Sequence, residues 1–553
     1  MLKRTVYLLF SLIVVLSMAL ASCAPGATPT QAPAATVAPV ATQAPAATVA
    51  PAATQAPAAT VAPVSTQAPA ATKAPAATNN ATLTYAVSAD AKSLDPSKAS
   101  GRLDVSIVYS IVDLLAIRDN QGVSQPYVAE SWTRVDPLTW EIKIRKGITF
   151  TNGEPLNAAA VKFTMERARI PEFNNNYQLP VQTKLKEVKI IDDYTVQFIT
   201  EVPSNTMEYW LAESPIFPPK YYGENSIEAV AKKPIGSGPY KFVEWVKDDH
   251  ITLERNDAYW GPKPAYKTIV FRVIPEVSAR INELVAGNID VASALSLDQA
   301  SQANSAVSSA EYVVGLRKMH FGIAQNSANK ALKDKRVRQA LNYAVDKEAL
   351  VTDLMGGKTD ILKSYVNLPN NNPDLKPYTY NPEKAKALLA EAGYSKGFDV
   401  VIQGRASAYG FDKEIMTAVA ANLKAVGVNA TVEVMENGAY LDALDKKKLA
   451  GLNWHGWAAL INPTVENLIL TCGHVDNAVD YCNPEFDKLY NQMLTEPDAA
   501  KRQDLNFKMQ AIAWDDAPWI YLWHLPMVYG VSKHVDYKPR PDGYIFLWEA
   551  KTK

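Results

Sequence analysis

Net charge is the first thing missing from this chain. Across 553 residues, 56 lysines and arginines face 57 aspartates and glutamates, which leaves no field to attract nucleic acid or an anionic membrane surface. Histidine is scarce and scattered: His250, His320, His455, His474, His524 and His534 form no HExxH pair. A GxSxG elbow, a Walker A loop and a GxGxxG turn are absent too, so zinc-hydrolase, serine-hydrolase and nucleotide chemistry have no motif to rest on. Among 57 carboxylates a chance acid pair is certain, so none is read as a glycosidase. No enzyme, no cofactor and no metal site is expected.

Cysteine is nearly absent, with three in all. The first stands at the end of MLKRTVYLLFSLIVVLSMALASC, where Lys3 and Arg4 precede an apolar run from Val6 to Leu20. That pattern predicts a secretory signal over residues 1–22 rather than a spanning helix. Its ending, Leu20-Ala21-Ser22-Cys23, resembles a bacterial lipobox, which implies cleavage before Cys23 and a diacylglyceryl group on its sulfur. Acyl chains contributing ~0.8 kcal/mol per buried methylene would hold the chain at the outer face of the cytoplasmic membrane. Cys472 and Cys482 bracket GHVDNAVDY, and in an oxidising compartment they are expected to form a disulfide. The rival is a thiol metal site with His474 between them, but two thiols and one histidine fall short of a structural zinc set.

Charge is also missing from residues 23–80, where TQAPAATVAPVA starts at Thr30 and restarts at Thr42, Thr54 and Thr66, with Lys73 as the single charge. Regular proline between small residues cannot bury a core and predicts a polyproline II-like spacer. At ~3.1 Å per residue, some fifty residues reach ~150 Å.

From Ala81 onward the composition is that of a globular protein. With 48% hydrophobic residues overall, the chain is long enough for more than one core. ATLTYAV alternates as a strand, LDVSIVYSIVDLLAI (Leu103 to Ile117) reads as a helix, and Trp140 to Arg145 and Gly147 to Phe150 read as strands. Asn157 is placed to cap AAAVKFTMERAR, and EVKIIDDYTVQFITE reads as a hairpin turning at Asp192-Asp193. NPEKAKALLAEAGY has a capping asparagine, proline at the first helical position and a stop at Gly393. Then come a strand (Phe398 to Gln403), a helix (Asp412 to Val426, apolar at Ile415, Val419, Leu423 and Val426) and a strand (Ala430 to Met435). That order predicts parallel pairing and an α/β lobe.

Four blocks carry a resemblance. They are AESWTRVDPLTWEIKIRKGITFTNGEPLNAAAV (Ala129 to Val161), GSGPYKFVEWVKDDHITLERNDAYWG (Gly236 to Gly261), DKRVRQALNYAVDKEAL (Asp334 to Leu350), and Gly456-Trp457 followed by the Cys472 to Cys482 loop. In this order they are similar to the family 5 extracellular solute-binding proteins, the peptide, nickel and oligosaccharide receptors of ABC importers. The resemblance implies an α/β, two-lobed, periplasmic-binding-protein-like fold. Lobe I would span 81–316 with a small extra subdomain at about 118–224, lobe II 317–517, and 518–553 would return to lobe I. Two strands would cross between the lobes, and closure on solute would be a hinge motion. Gly236, Gly238, Pro239, Asn256, Tyr259, Trp260, Arg338 and Asp346 are expected to be scaffold.

In peptide-binding relatives the segment after Gly-Trp resembles Gly-Trp-x-x-Asp-x-x-Asp-Pro, whose first aspartate takes the peptide's α-amine. Here it reads Gly456-Trp457-Ala458-Ala459-Leu460-Ile461-Asn462-Pro463. Leu460 stands where the carboxylate is expected and Asn462 replaces the second aspartate. Enclosing an ammonium without a counter-charge costs several kcal/mol, so a free-amine peptide is disfavoured unless Glu466 or another acid serves. Trp457 and Trp454 are expected to stack on the solute while Asn462 and His455 bond hydroxyls, which suits an oligosaccharide or other neutral polar solute. Arg405 and Tyr409 lie near where peptide relatives hold a ligand carboxylate, and the loop Ser97 to Arg102 faces the cleft in relatives. The expected function is thus a lipid-anchored, monomeric importer receptor for an oligosaccharide or other neutral solute. The alternative is an oligopeptide or dipeptide receptor, and below it stands a chemosensory or chaperone protein on the same fold.

Overall fold

The computed structural model describes residues 81–553 apart from 100, 121, 174–178, 368–369, 406–407 and 458–461. Cys23, the proline-rich repeat and Leu460 lie outside the described residues.

One ten-stranded sheet runs through the molecule. Its order is Val428–Met435, Phe398–Arg405, Leu452–Trp457, Ser308–Ile323, Trp519–Ser532, Val291–Leu295, Thr82–Val87, Thr268–Val273, His250–Arg255 and Tyr240–Val246. The sheet is continuous but its cores are separate. At one end Leu83, Ile107, Val108, Phe271, Val291 and Tyr544 pack together, and at the other Met319, Phe321, Leu341, Ile402, Val419 and Trp454. These cores define two α/β lobes. A four-stranded antiparallel sheet, built from Ala129–Asp136, Thr139–Ile144, Thr195–Thr200 and Leu185–Asp192, has its own core around Ile142, Val161, Phe198 and Trp210.

Among the described residues, only Ser308–Ile323 and Trp519–Ser532 belong to both halves of the large sheet. Sixteen residues at ~3.3 Å each span about 50 Å, enough to leave one lobe and enter the other. Their antiparallel ladder runs from Ser308 opposite Ser532 to Gly322 opposite Trp519, and its register breaks between Val314 and Lys318. At that break a Cβ on Gly315 would sit 2.6 Å from the Leu525 carbonyl oxygen, so only glycine lets the two strands approach there. The register break and the close approach thus fall where the two strands pass from one lobe to the other.

In the second lobe Phe398–Arg405 and Val428–Met435 pair in parallel register, and Asp412–Lys424 crosses between them with Ile415, Met416, Val419 and Leu423 buried. The helical spacing of those residues is the reason: one apolar stripe covers the sheet. Asn157 and Asn381 cap their helices, and Asp346 accepts from the Ala349 N–H at 3.0 Å; such caps contribute ~1 kcal/mol each. Arg338 donates to the carbonyls of Leu332, Lys333 and Asp516.

Two local expectations are corrected. The helix that begins at Arg102 ends at Ile111 rather than Ile117. The Ile111 carbonyl accepts from Gly238 N–H at 2.8 Å, and a Cβ on Gly236 would lie 2.2 Å from the same oxygen. This contact draws the chain out of the helical ladder, and Ala116–Arg118 pairs with Ser124–Pro126 instead. Gly147 to Phe150 forms no strand, because Gly147 takes a positive φ of 82° and Thr149 makes only an isolated bridge to Pro155. No helix among the described residues is long and apolar enough to cross a membrane.

Candidate ligand site

The strand Leu452–Trp457 shows why its two tryptophans part company. Side chains alternate across a sheet, so Leu452 and Trp454 point one way and Asn453, His455 and Trp457 the other. Trp454 is 1% exposed, packs on Phe321 and donates its indole N–H to Asp412. It is a core residue of the second lobe, which corrects the expectation that it stacks on solute. Pairing with Ser308–Ile323 sets Trp457 opposite Lys318, His455 opposite His320 and Asn453 opposite Gly322.

A cavity of about 200 Å³ lies over this second face. Asn453, His455, Trp457 and His320 line it, with Leu441 and Leu444 of the helix Asn437–Asp445 and the segment Val475 to Val479 around them. Cys472 and Cys482 are joined by a disulfide, which closes the loop carrying that segment. Both amide atoms of Asn453, Nδ1 of His455 and Nε1 of Trp457 are buried without a hydrogen-bond partner among the described residues. Each such orphan costs ~1–3 kcal/mol, so four on one cavity wall mark a surface that expects water or solute. Burial, with Arg317 and Arg405 adding, pushes His455 down to about 3, and burial holds His320 well below the usual histidine range. Both imidazoles are therefore neutral and act through hydrogen bonds. His320 is further pinned by stacking on Trp519 at 3.8 Å. Among the described residues no three His, Cys, Asp or Glu side chains converge as metal ligands.

Beside the cavity the chemistry turns cationic. Arg405 donates from Nη2 to the Tyr409 hydroxyl and from Nη1 to Asn437 Oδ1, both at 2.9 Å, while its buried Nε has no partner among the described residues. The Tyr409 hydroxyl also accepts from Gly456 N–H at 3.2 Å. Arg317, at the break in the crossing strand, donates to the Gly456 carbonyl at 2.7 Å and lies 5.7 Å from the Tyr409 ring centre. Tyr409 and Gly456 thus hold two guanidiniums side by side. From the first lobe Arg102 opens the helix Arg102–Ile111 and lies over the Tyr544 ring at 4.2 Å.

The acids here are otherwise engaged. Glu466 is 0% exposed and bonds Lys318, also 0% exposed, at 2.7 Å, and it accepts from Asn367 N–H at 2.9 Å. Burial pushes the Lys318 ammonium down and the Glu466 carboxyl up, opposed by their mutual attraction. Both bonds fall on Oε1, while Oε2 is buried without a hydrogen-bond partner among the described residues. Glu213 in the first lobe is saturated by Arg118 at 2.6 Å and by the hydroxyls of Tyr109 and Tyr544. Asp445 and Asp476, both exposed, are the carboxylates that line the cavity.

Of the residues singled out in the sequence, the structure brings Trp457 and His455 to the cavity and joins Arg405 to Tyr409. Asn462 is engaged locally: its side-chain oxygen accepts from Thr464 and Val465 N–H as the cap of the helix Pro463–Leu468. Sequence reasoning missed Asn453, His320 and Arg317. Alternation along NWHGW could have found Asn453, whereas His320 and Arg317 reach the site through pairing and hinge geometry.

Two lobes joined by two crossing strands, with a polar cavity and cations lacking carboxylate partners beside the junction, define a receptor that encloses a small solute. The chain belongs to the bacterial extracellular solute-binding proteins, family 5, whose middle-region description matches residues 124–478. Over 460 residues it is 28% identical to a glutathione-binding protein GsiB of Pectobacterium atrosepticum, covering 79% of this chain and 87% of that one. In fold it is similar to the substrate-binding protein CtaP of Listeria monocytogenes (TM-score 0.78, 23% identity, 86% of this chain and 99% of that one). It is also similar to DppA of Helicobacter pylori in complex with the peptide STSA (TM-score 0.69, 24% identity, 85% and 98%).

Proposed function

We propose that this protein is the extracytoplasmic receptor of an ABC importer for a short peptide-like solute with a free carboxylate. The observation that carries the reading is the pair of guanidiniums on Tyr409 and Gly456, neither of which meets a carboxylate among the described residues. A neutral oligosaccharide would leave both charges uncompensated on closure, which is costly in a dry cleft. Peptide-like ligands named for the relatives support the same preference over the oligosaccharide expected from the sequence. With Leu460 in place of an acid and Glu466 bound to Lys318, the solute's ammonium end is assigned to Asp445 and Asp476. Asn453, His455 and Trp457 then bond its amide groups.

The remaining parts match the family plan. Cys23 carries the lipid anchor, residues 23–80 tether the lobes to the outer face of the cytoplasmic membrane, and the closed form docks on the permease subunits. The lobes meet near Leu316 and Pro518, and the role is binding rather than catalysis. Calorimetric titration of the purified chain, stripped of copurified solute, tests the reading: unblocked di- and tripeptides and glutathione bind, and neutral oligosaccharides do not. Tight sugar binding with no peptide binding would reverse it.

A further inference from the structure

The cavity over Leu452–Trp457 is small and its lining is divided. At about 200 Å³ it falls below the ~300–1,000 Å³ of a pocket that encloses a whole small molecule, which leaves room for one side chain of a solute. One wall is apolar, with Leu441, Leu444, Val475 and Val479. The segment that supplies the valines is held close to the sheet: a Cβ on Gly322 would meet Val479 at 2.6 Å, and Asn477 engages its amide with the Thr471 and Tyr481 carbonyls and the Tyr481 N–H. The sheet wall is polar and unmatched. Asn453 offers a donor and an acceptor, Trp457 Nε1 a donor, and His455 Nδ1 either one according to its tautomer, all buried and without partners among the described residues. His320 donates from Nδ1 to the Lys318 carbonyl at 3.2 Å, which in a neutral ring makes Nε2 an acceptor. Among the described residues that line the cavity, the charged ones are Asp445 and Asp476, both exposed.

Donors and acceptors side by side without charge call for a group that carries both. A primary carboxamide presents two donors and an acceptor oxygen. A carboxylate presents acceptors alone, so it would set negative oxygens against Asn453 Oδ1 and pass Asp445 and Asp476 on the way in. A hydrocarbon side chain would leave every one of these atoms unmatched, which costs more than the bonds themselves gain. The position of the cavity says which part of the solute enters it. Gln403 pairs with Asn453 in parallel register, and two residues further along the same face Arg405 comes beside His455. Arg405 also lies 5.3 Å from the ring centre of Tyr440, on the helix that supplies Leu441 and Leu444. The guanidinium pair therefore stands at the end of the cavity.

We propose that this cavity is a side-chain subsite selective for a primary carboxamide, filled by the asparagine- or glutamine-like side chain of the residue whose carboxylate meets Arg405 and Arg317. Asn453 pairs with the amide through both of its polar atoms, and Trp457 donates to its oxygen. The inference rests on the peptide-like reading above, to which it adds the kind of residue the solute carries, and its test separates the two.

The experiment is calorimetry on the purified chain, stripped of copurified solute, with three probes of nearly equal size: Ala-Gln, Ala-Glu and Ala-Met. Wild type binds Ala-Gln roughly tenfold or more tightly than either of the others, the size expected when buried polar groups lose their partners. Asn453→Leu and Trp457→Phe narrow the gap between Ala-Gln and Ala-Met by weakening Ala-Gln, and thermal melts of each variant separate a binding loss from misfolding. Equal affinity for Ala-Gln and Ala-Met means that water alone answers the polar wall; it overturns the subsite and leaves the peptide reading standing. Tighter binding of Ala-Glu than of Ala-Gln overturns the subsite as well. A gap unchanged in both variants overturns the assignment to Asn453 and Trp457. Free glutamine bound in preference to glutamate and methionine, with no dipeptide bound, supports the subsite and defeats the peptide reading. Failure of every probe defeats both.

Discussion

Trp454 and Trp457 lie three positions apart and serve opposite ends, one as core and one as cavity wall. Trp454→Ala removes a fully enclosed indole and the donor to Oδ1 of Asp412, so it is expected to cost ~3–5 kcal/mol in urea unfolding. Trp457→Ala is expected to leave the unfolding midpoint nearly unchanged and to weaken solute binding. The Lys318–Glu466 pair gives a second contrast: Glu466→Gln strands a buried ammonium and costs ~3–5 kcal/mol, while a joint Lys318→Met, Glu466→Leu replacement recovers most of that loss. Acid sensitivity belongs to this scale as well. His455 and His524 are held at about 3 and about 4, below the ordinary 6.5, mainly by burial. The unfolded chain therefore takes up protons first as pH falls. Stability is complete above about pH 6.5 and declines toward pH 4, by on the order of 1 kcal/mol per pH unit per histidine. Urea melts at pH 7.5 and pH 5 check this, and His524→Gln is expected to flatten the slope.

At the scale of elements, the strands and helices that stand alone were legible. The parallel unit from Phe398 to Met435 and the caps at Asn157 and Asn381 follow from local periodicity and side-chain chemistry. Elements that end through a distant contact were not. The helix ending at Ile111 depends on Gly236 and Gly238, more than a hundred residues away, and nothing within Leu103 to Ile117 announces it. Gly236→Ala is expected to be severe for that reason, since a 2.2 Å approach to a backbone oxygen forces the turn and the helix end apart. Loss of soluble protein, or a drop of several degrees in the melting midpoint, is the readout.

For the whole molecule the issue is the balance between open and closed lobes. Asn205, beside the small four-stranded sheet, donates from Nδ2 to the carbonyls of Met493 and Leu494, each at 2.8 Å, and to that of Glu496 at 3.1 Å. These oxygens end the helix Pro484–Thr495 of the second lobe, so one amide ties the lobes through residues that do not line the cavity. Asn205→Ala removes contacts available only when the lobes are close. It is expected to weaken solute binding severalfold, through the population of the competent state, without altering the site. Small-angle scattering of the solute-free protein should then show a larger radius of gyration; an unchanged radius with unchanged affinity would remove Asn205 from the closure equilibrium.

The amino-acid sequence by itself determined the class of molecule. Its four blocks, the balanced charge and the strand, helix and strand unit led to a two-lobed α/β receptor, because these signals are local or follow in order along the chain. Tertiary structure alone decided which residues line the candidate site. Strand register separated Trp454 from Trp457, the buried lysine of another strand removed Glu466 from the available acids, and the crossing point of two distant strands set Arg317 beside Arg405. Charge balance over the whole chain says nothing about where charges go unmatched. That depends on which side chains the fold brings within a few ångströms, where burial makes an unpaired charge expensive and so makes a solute the natural partner.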